Sequence, residues 1–220
     1  MSPVLQARDL YRFFHAGDTE TLALRGVSLD VDAGELVAVV GPSGSGKSTL
    51  LACLAGLDEP DGGTVRVAGA LMSRRPEPER AALRARAIAM LFQSENLLDH
   101  LTVSENVSLV RALAVRRSPA DTDDVLARLG LASRAGAYPS QLSGGECARA
   151  GLAVALANTP AVVIADEPTG ELDSTTATVV VDELVRQADR GIAVLVVTHS
   201  PAVAHRADRV VRLADGRVLP

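Results

Sequence analysis

Aromatic side chains are nearly absent from this sequence of 220 residues: three Phe, two Tyr and no Trp. A core must therefore be packed from Val, Leu, Ile and Ala, and at 47% hydrophobic residues there is ample material for a sizeable one. Only two cysteines occur, Cys53 and Cys147. They make neither a disulfide framework nor a metal-ligand spacing, which points to a reducing compartment. No long basic run appears and the net charge is −5, which speaks against a general nucleic-acid-binding surface. No apolar run approaches the ~18 residues that span a bilayer, and the N-terminus lacks the basic-then-apolar pattern of a signal peptide. A soluble chain is expected, with any membrane role exerted through a separate partner. Internal repeats and low-complexity tails are also missing.

What is present alternates between strand and helix signals. Strands are expected at 4–9 and 24–31, separated by a polar loop at 15–20, then at 36–40, 64–67 and 88–92. Between 102 and 156 the texture turns helical: one helix over 102–117, a second starting at Ser118-Pro119 and stopped by Gly130, a third over 144–156. Strands return at 161–165 and 192–197, with a helix over 174–189 between them. Uninterrupted apolar runs of this kind suit a parallel sheet covered on both faces. Asp215-Gly216 reads as the turn of a terminal hairpin. With that hairpin ending at Pro220, no appended regulatory domain is expected.

The chemistry concentrates first at Gly41-Pro42-Ser43-Gly44-Ser45-Gly46-Lys47-Ser48-Thr49. The run follows an apolar strand and opens a helix, the context of a phosphate-binding loop. Its glycines let backbone N–H groups wrap an anion, and the helix N-terminus adds partial positive charge. Lys47 is suited to the β- and γ-phosphates, and the Ser48 hydroxyl to Mg²⁺. A second site is the strand Val162-Val163-Ile164-Ala165, which ends in Asp166-Glu167. Chemistry gathers at the carboxyl ends of strands in open α/β sheets. Adjacent acids there can divide the work, Asp166 toward Mg²⁺ and Glu167 toward an attacking water. A third is Leu142-Ser143-Gly144-Gly145-Glu146, just before a helix, which forms another anion cradle. One small domain with one nucleotide has little use for two cradles, so the second is expected to serve a neighbouring molecule.

With these residues in place, the chain closely resembles the nucleotide-binding subunits of ABC transporters. Residues 41–48 are similar to their Walker A loop, Asp166 and Glu167 to Walker B and the catalytic glutamate, and 142–146 to the signature motif. Gln93 resembles the Q-loop glutamine, Asp173 in Glu171-Leu172-Asp173 the D-loop aspartate, and His199 the switch histidine. The motifs occur in the family's order, and the resemblance covers essentially the whole chain. It implies an α/β P-loop NTPase core of RecA-like type with a parallel-rich sheet and an N-terminal antiparallel β subdomain, from residues 1–92 and 157–220. A helical subdomain over 93–156 would be inserted between them. Departures from the usual pattern are Cys147, Ala148, Val154 and Glu171. Phe14 stands where a tyrosine usually stacks on adenine, although core packing would also suit it.

The resemblance further implies a head-to-tail homodimer with ATP and Mg²⁺ at its interface. Phe14 and residues 41–49 would bind the nucleotide, while Ser48, Gln93 and Asp166 would serve the metal. Leu142 through Glu146 would act from the opposing copy, with Asp173 beside them. Lys47, Glu167, His199 and Gln93 would carry hydrolysis. Features at 92–107 and 169–173 are similar to the macrolide-exporter, lipoprotein-release and cell-division subgroup. Its ATPases pair with permeases bearing a large extracytoplasmic domain, at the cytoplasmic face of the inner membrane, and often transmit force. Residues 94–101 would meet the permease. The expected function is thus ATP hydrolysis energising a separate permease for export or mechanotransmission, with membrane contact only through that partner and no nucleic acid. The alternative is an ATP-driven regulatory module that pulls on a membrane partner without transport.

Overall fold

Three apolar strands set the architecture: β3 (Leu36–Val40), β7 (Val162–Asp166) and β8 (Ala193–Val197). Their alternate side chains enter two different cores. Val37, Val39, Val162, Ile164, Ala193, Leu195 and Val197 belong to one, and Leu36, Val163, Ala165, Val194 and Val196 to the other. Both faces are buried, so no polar residue interrupts the runs. The computed structural model describes residues 3–16, 19–113 and 122–219.

In chain order the elements are β1 (Leu5–Ala16), β2 (Thr19–Val31), β3, α1 (Lys47–Leu54), β4 (Gly62–Val67), β5 (Ala70–Leu71), α2 (Glu77–Ala87) and β6 (Ile88–Leu91). Then come α3 (Val103–Leu113), α4 (Thr122–Arg128), α5 (Gly144–Ala155), β7, α6 (Ser174–Asp189), β8, α7 (Pro201–Ala204), β9 (Arg209–Ala214) and β10 (Arg217–Leu219). A six-stranded sheet has the order β10-β9-β3-β8-β7-β6, and only the β9–β10 hairpin in it is antiparallel. A four-stranded antiparallel sheet, β2-β1-β4-β5, lies over α1 and shares the first core with it. Helices α3 to α6 supply the second core on the opposite face.

Several expectations shift. The polar loop expected at 15–20 is strand at its described residues: β1 runs on to Ala16 and β2 starts at Thr19, with His15 paired to Glu20 and Ala16 to Thr19, while Gly17 and Asp18 lie outside the described residues. Ladder hydrogen bonds are made by backbone, so polar side chains do not end such a ribbon. The helix expected over 102–117 is seen from Val103 to Leu113, and its remainder lies outside the described residues, as does the start at Ser118-Pro119. Helix α2 has little apolar signal in the sequence. Its buried stripe is only Leu83 and Ala87, while acids in its first turn and arginines in its last favour it electrostatically. The terminal hairpin turns at Asp215 and Gly216, both at positive φ (46° and 73°), which matches the right-handed twist of the strands.

Ile164 of β7 is fully buried and belongs to the first core. Ile164→Ala should cost about 2–5 kcal/mol in urea unfolding, by lost transfer energy and a residual cavity.

Candidate functional site

Parallel pairing brings four strand ends to one edge. Val39 of β3 and Asp166 of β7 both lie opposite Val197 of β8, and Leu91 of β6 lies opposite Ala165. The loop 41–48, the acids Asp166 and Glu167, the pair Thr198-His199 and Gln93 therefore leave the sheet side by side. This is where an open α/β sheet binds ligands.

The 41–48 loop is pressed between two strands. A Cβ on Gly41 would sit 2.1 Å from the Leu213 carbonyl oxygen of β9, and one on Gly46 2.5 Å from that of Ala23 in β2. Gly46 is also at φ 101°, which side chains disfavour. It stands at the head of α1 with no side-chain cap, leaving the first-turn N–H groups without a side-chain partner. Lys47 Nζ donates to the carbonyls of Gly41 (2.8 Å) and Pro42 (2.9 Å), so the ammonium lies across its own loop. The Ser45 hydroxyl is buried without a hydrogen-bond partner. An orphan hydroxyl, uncapped amides and a cation held only by carbonyls fit a polyphosphate.

Asp166 is half-buried beside this cradle. Burial, then the neighbouring Glu167 charge, push its carboxyl up from the usual carboxylate range; the Ser48 hydroxyl and Lys47 pull it down. A hydroxyl bonded to a poorly solvated carboxylate is the hard-oxygen donor set that suits Mg²⁺. Glu167 sits just past β7 at φ 45°. Its carboxylate accepts from both His199 donors, Nδ1 at 2.8 Å and the backbone N–H at 3.2 Å. That places the proton on Nδ1 and leaves Nε2 free on a ring that is 71% exposed. Thr198, fully buried, accepts from the Ser200 N–H and shapes the turn that presents His199.

Gln93 does reach this edge, but its Nε2 donates to Glu171 Oε1 at 3.4 Å. A cavity of about 320 Å³ opens here, bounded by Gln93, Leu97, Cys147, Glu167 and Glu171. Phe14 is 42% exposed on β1 and so is not part of the core.

The 142–146 motif is elsewhere, at the head of α5. Ser143 caps that helix: its hydroxyl accepts from the Glu146 N–H (3.2 Å), and the Glu146 carboxylate accepts from the Ser143 N–H (2.8 Å). Ser143 and Gly144 are exposed. Asp173 caps α6, accepting from the N–H groups of Thr175 and Thr176 and from the Thr176 hydroxyl. The two caps adjoin, since a Cβ on Gly145 would lie 2.8 Å from Thr176 Oγ1. Sequence reasoning missed Arg134, whose Nε is 3.0 Å from Glu146 Oε1 and whose Nη2 donates to the Gln141 carbonyl. It also missed Arg12, which lies over Phe14. An isolated arginine carries no local signal for either contact.

A strand, an anion-binding loop, a helix and two acids at the end of the next strand but one define a P-loop nucleotide-binding protein. Comparison with known proteins carries this further. The ABC transporter family profile matches residues 24–170. The chain is 43% identical over its whole length to the macrolide export ATP-binding/permease protein MacB of Escherichia coli, and equally to that of Shigella flexneri. It spans about a third (34%) of the length of these curated relatives. The structure superposes with TM-score 0.90 and 33% identity on the ATP-binding cassette MJ0796, solved as a dimer in a post-hydrolysis state with ADP and Pi, covering 98% of this chain and 97% of that one. The chain belongs to the ABC transporter family, as one of its ATP-binding cassettes.

Because the Asp166 carboxyl is raised in the fold, its ionised form costs stability at neutral pH, and the fold gains stability as pH falls through that raised range. Asp166→Asn should therefore raise the melting temperature of the ligand-free protein at pH 7. The difference should shrink toward pH ~4, the ordinary carboxylate range. A variant that melts lower at pH 7 would contradict the assigned cause.

Proposed function

We propose that this cassette binds and hydrolyses ATP as a head-to-tail homodimer and thereby drives a membrane permease. One observation carries the proposal. The cradle at 41–48 and the acids 166–167 share one sheet edge, whereas the second cradle, at 142–146, caps a helix of the other core and is exposed to an incoming molecule. Each copy then supplies complementary halves of two composite sites.

In this arrangement Lys47 and the amides of 41–49 hold the β- and γ-phosphates, with the Ser45 hydroxyl as a further donor. Phe14 receives the base. Ser48 and Asp166 would hold Mg²⁺, with Gln93 joining once it leaves Glu171; the metal would supply charge neutralisation at the phosphates. Ser143 and Gly145 of the second copy close on the γ-phosphate, with Asp173 beside them. Glu167 orients and polarises the attacking water. His199 holds that carboxylate through Nδ1 and its backbone N–H, and its exposed ring lies where the γ-phosphate would contact it. Transfer of a phosphoryl group needs positioning and charge stabilisation above all, which the closed dimer completes.

The permease would dock on 94–101. This loop is preformed: Asn106, buried, accepts from the Leu98 N–H (2.8 Å) and donates to the carbonyls of Leu98, Leu101 and Thr102. Leu98 remains 44% exposed. Among the described residues no helix is long and apolar enough to cross a membrane. Similarity to macrolide export proteins supports an export or force-transmitting role, with a permease carrying a large extracytoplasmic domain and the cassette at the cytoplasmic face of the inner membrane.

Glu167→Gln should keep ATP binding, accumulate as an ATP-bound dimer in light scattering, and hydrolyse roughly 100- to 10,000-fold more slowly. Near-normal turnover would remove Glu167 from this role. Leu98→Asp should leave basal ATPase within about twofold, since it touches none of the nucleotide-holding groups, yet abolish stimulation by the reconstituted permease.

A further inference from the structure

We propose that Arg12 is a positioning residue for the nucleotide: it covers one face of the Phe14 ring and ties that ring to the P-loop helix, setting the span between base platform and phosphate cradle. The inference rests on the nucleotide-binding function proposed above and deepens it.

The guanidinium carbon of Arg12 lies 4.8 Å from the centroid of the Phe14 ring. Phenylalanine has no hydroxyl with which to tether itself, and this cation–π contact supplies a polar influence on its attitude. The same guanidinium makes a two-pronged pair with Asp58, Nε to Oδ2 at 2.7 Å and Nη2 to Oδ1 at 2.9 Å. Its third nitrogen, Nη1, reaches Asp61 Oδ2 at 3.0 Å. Both acids belong to the segment that follows α1. The Asp58 N–H donates to the carbonyl of Ala52, inside α1, whose first turn carries Lys47 and Ser48. Asp61 fastens the other side: its N–H donates to the Tyr11 carbonyl and its carboxylate accepts from the Phe13 N–H.

The brace stands where the sheet no longer holds β1 on both sides. Pairing of β1 with β4 ends at Tyr11 opposite Gly62, and the β1–β2 register shifts between Arg12 and Phe13. Beyond Tyr11 the strand is held by β2 alone, and Asp58 and Asp61 take the place of the missing β4 ladder. Arg12 is only 21% exposed, so its ion pairs are partly shielded from water, while Phe14 keeps 42% of its surface open. The guanidinium takes up one side of the ring, and the 42% of Phe14 that stays exposed is the surface offered to a nucleobase. Lysine cannot substitute: its ammonium is a point charge and does not fork onto Asp58 while lying flat on a ring.

The test separates base from phosphate. Dissociation constants for Mg²⁺–ATP and Mg²⁺–tripolyphosphate would be measured by calorimetry on the full chain and on Arg12→Ala, Arg12→Lys, Phe14→Ala and Arg12→Ala/Phe14→Ala. Arg12→Ala is expected to weaken ATP about tenfold and to leave tripolyphosphate within twofold. Arg12→Lys should show the same selective loss, and the double variant should bind ATP no more weakly than Phe14→Ala. Circular dichroism melts above the assay temperature would confirm that each variant is folded. If Phe14→Ala loses ATP affinity but both Arg12 variants keep it, the brace is overturned while the nucleotide site stands. Equal losses for ATP and tripolyphosphate in the Arg12 variants would overturn it as well. If the unaltered chain binds neither ligand, the nucleotide-binding function itself fails.

Discussion

Parallel hydrogen bonding among β3, β8, β7 and β6 is the constraint on which the rest depends. It sets Val39, Val197 and Asp166 at one level and brings Leu91 alongside Ala165. Residues more than 150 positions apart in the chain, such as Lys47 and His199, thereby come to one sheet edge. A slip of one residue in β7 would exchange the two core faces of Val163 and Ile164 and redirect both acids. The apolar composition of these strands thus guards the chemistry at their ends: register is held by burial on two sides.

The polar groups at that edge are arranged for charge to arrive. Lys47 rests on two carbonyls, Ser45 has an unpartnered hydroxyl, and the Asp166 carboxyl is pushed up by burial and by Glu167. Each carries a cost that a polyphosphate and a divalent cation would relieve. Glu167 is the exception, since His199 already satisfies its carboxylate twice. The segment 142–146 is likewise self-satisfied through the Ser143–Glu146 box and the Arg134 ion pair. In the proposed dimer, halves organised beforehand would lose little entropy on closing.

Much of this was legible in the residues. The uninterrupted strands at 36–40, 162–166 and 193–197, the helix at 174–189 and the turn at Asp215-Gly216 are written in local pattern. Helix α2 was not, because Arg80 and Arg84 support it through ion pairs to Glu59 and Glu77 rather than through an apolar stripe. The pairing of His15 with Glu20 and of Ala16 with Thr19 carries no sequence signal, because backbone pairing ignores side-chain polarity. The roles of Arg12, Arg134 and Glu171 were equally hidden, since each partner lies on another element, and only packing selects it.

By itself the sequence determined the kind of ligand: glycines, a lysine and a serine after an apolar strand define a phosphate cradle wherever they are placed, because that chemistry depends on backbone amides within eight residues. It also determined the core strands and the helix between them, through uninterrupted apolar runs and local end signals that need no distant partner. Tertiary structure alone decided which acids face that cradle, that Glu167 is held by His199, and that Phe14 is braced by Arg12 instead of entering the core. Those outcomes turn on distances between groups far apart in the chain, and such distances exist only once sheet register and core packing have been established.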